Sequence, residues 1–265
     1  MKTDAKTLEI TKEPETEGTV TAFMSLVLSN ERIGKDFYLM RAIKSKRDGA
    51  SRMGQFYMLR AWKSYPILSR PISVFDDDGE AISFLYRVAG KGTEIFSTLR
   101  KGGEISMLGP LGNSFPNVTG KIALVGGGVG VAPFYLAAKQ LKGSRTCRDD
   151  SHVDIYLGFS EEAVLSKEYK HVADNLIVNV GGFISDEVDP GNYDHIMACG
   201  PEPMMRALYE KCKKIRMEEK LYVSMESRMA CGVGACFVCS CKTREGNKKI
   251  CKDGPIFKGE EVFGI

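Results

Sequence analysis

Five cysteines fall within the 21 residues from Cys231 to Cys251, and this clustering limits the C-terminal part more than any other feature. Cys231-Gly-Val-Gly-Ala-Cys236-Phe-Val-Cys239 reads C-x4-C-x2-C, and Cys251 follows after eleven residues. Three thiolates from one tight loop and a fourth from a later segment form the ligand pattern of a plant-type [2Fe–2S] cluster. Gly232 and Gly234 suit it, because backbone without Cβ atoms can wrap closely and turn amides toward sulfur. Structural zinc is the main alternative. It prefers two C-x2–4-C pairs, whereas Cys239-Ser-Cys241 is tight for a second pair and Cys251 stands alone. Cys241 is left over and reads as a small buried residue. Cys147, Cys199 and Cys212 are scattered. A disulfide framework would spread over a small secreted domain, so the clustering points to metal ligation in a reducing compartment.

The rest of the chain is large enough to bury real cores. The 265 residues of the whole chain, 43% of them hydrophobic, accommodate two domains and a small third. A net charge of +3 is too small to argue for nucleic acid or an anionic membrane. Met1 to Gly18 is polar and lacks the apolar core of a signal peptide. The longest uncharged stretch, Ile122 to Ala138, is short for a membrane span and is interrupted by glycines and Pro133. A soluble, cytoplasmic protein is expected.

Three styles of sequence follow one another after a short lead-in. Residues 1–17 read as a flexible lead-in. Residues 18–118 hold short β-rich runs broken by turns, among them Thr19–Ser29, Phe37–Ile43, Phe56–Trp62, Ile82–Val88 and Glu104–Leu108, which suggests an antiparallel barrel or sandwich. Residues 119–221 alternate strands with helical patterns, as a parallel α/β sheet requires. Residues 222–265 form a cysteine-rich module. The expected fold class is therefore multi-domain β and α/β.

Within the α/β region, Val125-Gly-Gly-Gly-Val-Gly-Val-Ala-Pro133 sits between a strand and a helix. Backbone amides at such a turn can approach a pyrophosphate, with the helix dipole favouring the anion. Pro133 fits the first turn of the helix. By itself a glycine-rich turn is a weak signal. A second turn, Cys199-Gly200-Pro201, closes a later strand and can face the same crevice. Glu161 and Glu162 follow the next strand. Two carboxylates there would repel a ribose 2′-phosphate, which favours NAD over NADP.

In the barrel region, Arg70-Pro71-Ile72-Ser73 reads alone as a surface charge ahead of a Pro-fixed turn. It is followed in order by Leu85-Tyr86-Arg87, Gly92-Thr93, Gly109-Pro-Leu-Gly-Asn113, the glycine turn and Cys199-Gly200-Pro201. This succession resembles the ferredoxin–NAD(P) reductase superfamily. The tail, Ser224-Met-Glu-Ser-Arg-Met-Ala-Cys231 onward, resembles the electron-transfer subunits of dihydroorotate dehydrogenase B. The resemblance runs from about Thr19 to the C-terminus.

That resemblance implies an oxidoreductase subunit. Arg70, Pro71, Ile72 and Ser73 match a flavin motif, with Arg on the FAD pyrophosphate and Ser near the isoalloxazine. Leu85, Tyr86 and Arg87, then Gly92 and Thr93, match two further FAD segments. Gly126, Gly127, Gly128, Gly130, Cys199, Gly200 and Pro201 match the NAD side, and Cys231, Cys236, Cys239 and Cys251 the cluster ligands. No acid–base catalytic residue is implied. The implied partner is a dihydroorotate-oxidising catalytic subunit carrying FMN, two of each subunit forming a heterotetramer in pyrimidine (UMP) biosynthesis. The cysteine module is expected at the partner interface. A related transhydrogenase or hydrogenase subunit is the alternative within the superfamily. A zinc-binding interaction protein is the alternative outside it.

Overall fold

A computed structural model describes residues 22–45, 49–143 and 151–265. The expected lead-in (1–17), the start of the first expected strand (19–21) and Cys147 lie outside the described residues.

The first domain is a closed antiparallel barrel. Its strands are β1 (Phe23–Arg32), β2 (Phe37–Ile43), β3 (Phe56–Arg60), β4 (Arg70–Asp77), β5 (Ala81–Arg87) and β6 (Glu104–Leu111), with helix α1 (Lys91–Thr98) between the last two. They pair in the order β1-β2-β5-β4-β3-β6, and β6 closes the ring onto β1. Alternation drives the closure. In β6, Ile105, Met107, Gly109 and Leu111 are buried while the residues between them are partly or fully exposed. Tyr57, Leu59, Ile82, Phe84 and Met107 meet in the interior, each buried large apolar side chain contributing about 1.5–3 kcal/mol. α1 caps the barrel by inserting Phe96, whose ring lies 5.5 Å from Trp62 and 5.8 Å from Tyr86.

Arg70-Pro71 departs from the sequence reading. It opens strand β4, with Pro71 opposite Met58 and Arg70 opposite Leu59. Proline is tolerated there because the start of a strand can do without one ladder donor. Gly92 and Thr93 lie in the first turn of α1.

The second domain is a six-stranded sheet. Strands β7 (Lys121–Gly127), β8 (His152–Phe159), β9 (Asn175–Val180), β10 (His195–Cys199) and β11 (Leu221–Ser224) run parallel, with α2 (Pro133–Gly143), α3 (Ser166–Val172) and α4 (Glu202–Lys214) as connections. After β7 every residue of β8 from Val153 on is buried, the near-continuous apolar run expected of a strand covered on both faces. The chain then makes a hairpin, β12 (Ser240–Thr243) and β13 (Gly246–Lys249), a short α5 (Ile250–Asp253), strand β14 (Ile256–Lys258) and α6 (Gly259–Phe263). The sheet order is β14-β11-β10-β7-β8-β9, with β14 antiparallel to β11. A boundary between 221 and 222 therefore falls inside β11, and the tail after the cysteines completes the α/β sheet.

Barrel and sheet are joined on two sides. On one, Phe75 stacks on Tyr135 at 4.5 Å, Lys139 Nζ donates to Asp76 at 2.6 Å, and the Gln140 side chain bonds the backbone of Met53 and Ser51. On the other, Asn113 exchanges hydrogen bonds with the backbone of Ile256, at 2.8 and 2.9 Å. Among the described residues no helix is long and apolar enough to cross a membrane.

Candidate functional site

Parallel strands leave their carboxyl ends at one edge, and the barrel faces that edge. The register places Gly126, Cys199 and Ser224 side by side, so the segments that follow them emerge together. Two clefts lie here. The larger, about 380 Å³, runs between barrel and sheet. Its barrel wall is Phe56, Pro71, Ile72, Ser73, Leu85, Tyr86 and Arg87, and its opposite wall is Val129, Ala132 and the run from Ser224 to Ser227, with Met229 and Pro255. The smaller, about 290 Å³, lies over Gly127, Gly128, Gly130, Gly200 and Pro201. Arg87, Val129, Met225 and Glu226 line both.

The two glycine turns interlock backbone to backbone. A Cβ on Gly130 would lie 2.5 Å from the Cys199 carbonyl oxygen, and one on Gly200 would lie 2.9 Å from the Gly127 nitrogen. Gly200 also has φ +149, which side chains disfavour. Gly126 and Cys199 shape this floor without lining the cleft, and Gly126 lets Val131 fold back onto β7. Burial, helped by the nearby Glu226 carboxylate, pushes the Cys199 thiol far up, so it stays neutral.

Arg70, Gly92 and Thr93 stand beside the larger cleft rather than in its wall. The Arg70 guanidinium sits over the Trp62 ring at 5.4 Å, and a Cβ on Gly92 would come within 2.5 Å of its Nε. Thr93 Oγ1 accepts from the amides of Ala89 and Gly90 and so caps α1. Glu161 and Glu162 lie at the carboxyl end of β8, in a recess shared with Gly128 and Arg87. Lys35 from the barrel engages both: its Nζ donates to Glu161 at 2.8 Å and its amide donates to Glu162. That contact holds the Glu161 carboxyl below its usual range.

The run from Ser224 to Met229 carries no spacing motif, yet it builds half of one cleft wall. Within it, Glu226 makes no hydrogen bond or ion pair with the described residues. Solvent reaches it through the cleft mouth, but the surrounding protein displaces enough water to raise its carboxyl pKa.

The cysteine loop packs on the barrel from β11. Gly232 (φ +75) and Gly234 (φ +81) take the left-handed conformations that let it curl. A Cβ on Gly232 would meet Met58 at 2.7 Å. The Gly234 amide donates to Cys251 Sγ at 3.1 Å, and the Cys251 amide to Cys239 Sγ at 3.4 Å. Burial opposes ionisation of Cys231, but the amides of Val233, Cys236 and Ala235 outweigh it and bring the thiol down to about 6. Cys251, buried and next to Cys239, is pushed up to about 12. Four thiols, three of them with amides aimed at their sulfurs, suit an iron–sulfur cluster. Among the described residues no three metal-binding side chains converge as on one ion. A two-iron cluster shared among four cysteines does not ask for that. Cys239 and Cys251 are buried, whereas Cys236, Val233, Phe237 and Val238 are exposed.

Known proteins resemble the chain over most of its length. The profile of the iron-sulfur cluster binding domain of dihydroorotate dehydrogenase B matches residues 226–263. The dihydroorotate dehydrogenase B (NAD(+)) electron transfer subunit of Clostridium acetobutylicum is 46% identical over 80% of this chain and 86% of its own. Its counterpart in Clostridium perfringens is 42% identical over 79% and 86%. Among solved structures, an NADH-dependent reduced ferredoxin-NADP oxidoreductase, described in the context of flavin-based electron bifurcation, superposes with TM-score 0.78 at 28% identity, covering 93% of this chain and 91% of that one. A ferredoxin NADP+ reductase from Neisseria gonorrhoeae with bound FAD and NADP shares the fold at 13% identity, with TM-score 0.63 over 76% and 97%. With the cysteine loop, the two clefts and these relatives together, the chain belongs to the family of dihydroorotate dehydrogenase B electron transfer subunits.

Proposed function

We propose that the chain passes electrons from the FMN of a dihydroorotate-oxidising catalytic subunit, through a [2Fe–2S] cluster and FAD, to NAD+ in pyrimidine biosynthesis. One observation carries this reading. Met229 and Phe56 line the larger cleft and share one apolar core with Met58, Cys239 and Cys251. The cleft wall and the cysteine loop thus meet in one continuous apolar core.

In this reading Pro71, Ile72, Ser73, Leu85, Tyr86 and Arg87 hold FAD along the barrel wall, with Arg70, Gly92 and Thr93 at its phosphates. Arg70 must then turn from Trp62, a ring contact worth about 0.5–1 kcal/mol at an exposed site. Gly126, Gly127, Gly128, Gly130, Cys199, Gly200 and Pro201 form the NAD floor. Cys231, Cys236, Cys239 and Cys251 bind the cluster. When bound, the flavin supplies the conversion between single electrons and hydride pairs that links a cluster to a nicotinamide. The protein's own work is to hold and orient. Barrel and sheet form the facing walls, interlocked glycine turns present amides to a pyrophosphate, and Val129, Ala132 and Met229 keep the wall apolar.

The catalytic partner docks at the exposed Val233, Phe237 and Val238 beside Cys236, in a heterotetramer of two of each subunit. The setting is cytoplasmic, where thiolates stay reduced. The test is direct. The purified chain should carry flavin absorption with a broad iron–sulfur shoulder. Adding the catalytic subunit should couple dihydroorotate oxidation to NAD+ reduction. A colourless protein holding stoichiometric zinc would overturn the reading.

A further inference from the structure

Glu226 has no part in the function proposed so far, yet it stands where the two clefts meet, with Arg87, Val129 and Met225. Hydride passes only between groups in near contact, about 3–3.5 Å apart. A nucleotide seated on the glycine turns must therefore bring its nicotinamide to this wall to reach a flavin in the larger cleft. The oxidised ring carries a positive charge and the reduced ring carries none; the rest of the nucleotide is identical.

The groups facing this junction differ in what they can offer that charge. Tyr86 is kept neutral by burial, as is the Cys199 thiol beneath the floor. Arg87 lies 3.8 Å from Asp36. Glu202, at the start of α4, is paired with Arg206 at 2.8 Å. Glu226 is the carboxylate left without a counter-charge among the described residues. Apolar Val129 and Met225 beside it weaken the screening that water would give.

Building on the function proposed above, we propose that Glu226 reads the charge of the nicotinamide ring and favours NAD+ over its reduced form. The substrate then enters an anionic pocket that the product no longer matches, and product release is eased. Because the carboxyl pKa is raised, the preference is present above that value and fades as pH falls through it.

The test uses the oxidised, FAD- and cluster-loaded chain with its catalytic partner. Calorimetry gives the affinities of NAD+, of the neutral and unreactive 1,4,5,6-tetrahydro-NAD, and of ring-less ADP-ribose. NAD+ should bind more tightly than the tetrahydro form, increasingly so as pH rises. Glu226→Gln should shrink that ratio about tenfold, equivalent to about 1.4 kcal/mol, and leave ADP-ribose unchanged. Glu226→Asp should keep most of the preference. Equal weakening of both dinucleotides in Glu226→Gln, or a wild-type ratio flat with pH, would overturn the inference. If Glu226→Gln loses its flavin, the wild-type pH series and Glu226→Asp decide. A wild-type complex that holds FAD but binds none of the three ligands would overturn the nucleotide reading itself, a separate result.

Discussion

Gly130→Ala tests whether the interlocked glycine turns form the nucleotide floor. The added Cβ would lie 2.5 Å from the Cys199 carbonyl oxygen and 2.6 Å from both the Cys199 carbonyl carbon and the Gly200 Cα. Optimal carbon contacts are about 3.5–4.0 Å, so the two turns must part by roughly 1 Å. All three obstacles are backbone, and no side chain can rotate away. Overpacking of this kind costs about 1–3 kcal/mol. If the strain is relieved by opening the floor, NAD affinity falls by roughly 5- to 150-fold. Gly49→Ala, where a Cβ would meet nothing within 4 Å, controls for the loss of glycine flexibility. Calorimetric titration with NAD+ provides the readout, and the visible spectrum checks that flavin and cluster are retained. Affinity within twofold of wild type for Gly130→Ala, with both cofactors in place, would refute the role given to the turns.

Further outcomes follow from other parts of the structure. Serine at Cys231, Cys236, Cys239 or Cys251 should abolish the iron–sulfur absorption and leave the flavin bands, whereas Cys241→Ser should keep both. Gly232→Ala adds a Cβ 2.7 Å from Met58 at φ +75 and should lower iron per chain, measured by metal analysis. Asp77→Asn strands Lys44, its 2.7 Å partner, with side chains only 5% and 4% exposed. It should destabilise the barrel by about 3–5 kcal/mol in denaturant unfolding. Burial works against ionisation of Asp77, but Lys44 and the amides of Ser51 and Gly79 outweigh it, so its pKa is lowered. Its contribution is complete above the ordinary carboxylate range and is lost as pH falls through the lowered value, so wild type and Asp77→Asn should converge in acid. Replacing Glu161 and Glu162 together by Gln frees Lys35 for a 2′-phosphate and should narrow the preference for NAD over NADP in competition binding.

How legible each part is depends on how local its cause is. The cysteine spacing and the glycine turns are readable because a few consecutive residues determine them. The barrel and the parallel sheet show in the change from two-residue alternation to continuous apolar strands. Arg70-Pro71 misleads because proline usually marks a turn, and only the pairing of β4 with β3 shows that its missing donor is harmless. The Ser224–Met229 wall is hidden for another reason. Nothing in those residues announces a cleft. They reach it because β11 lies beside β10 with Ser224 next to Cys199, a register set by residues distant in the chain. The contact of Lys35 with Glu161 and Glu162 is hidden in the same way, since it joins residues more than a hundred positions apart.

The antiparallel return of β14 bears on how such a chain could have arisen. Ser224 and Ile256 are paired neighbours, so residues 225–255 leave and re-enter the sheet at almost the same point. An excursion with touching ends can be gained, lost or exchanged without rethreading the strands around it. The iron-binding segment therefore has the anatomy of a graft on a two-domain reductase. Because Met225 and Pro255, just inside its two ends, both border the larger cleft, any segment spliced in at this point would begin and end beside that cleft.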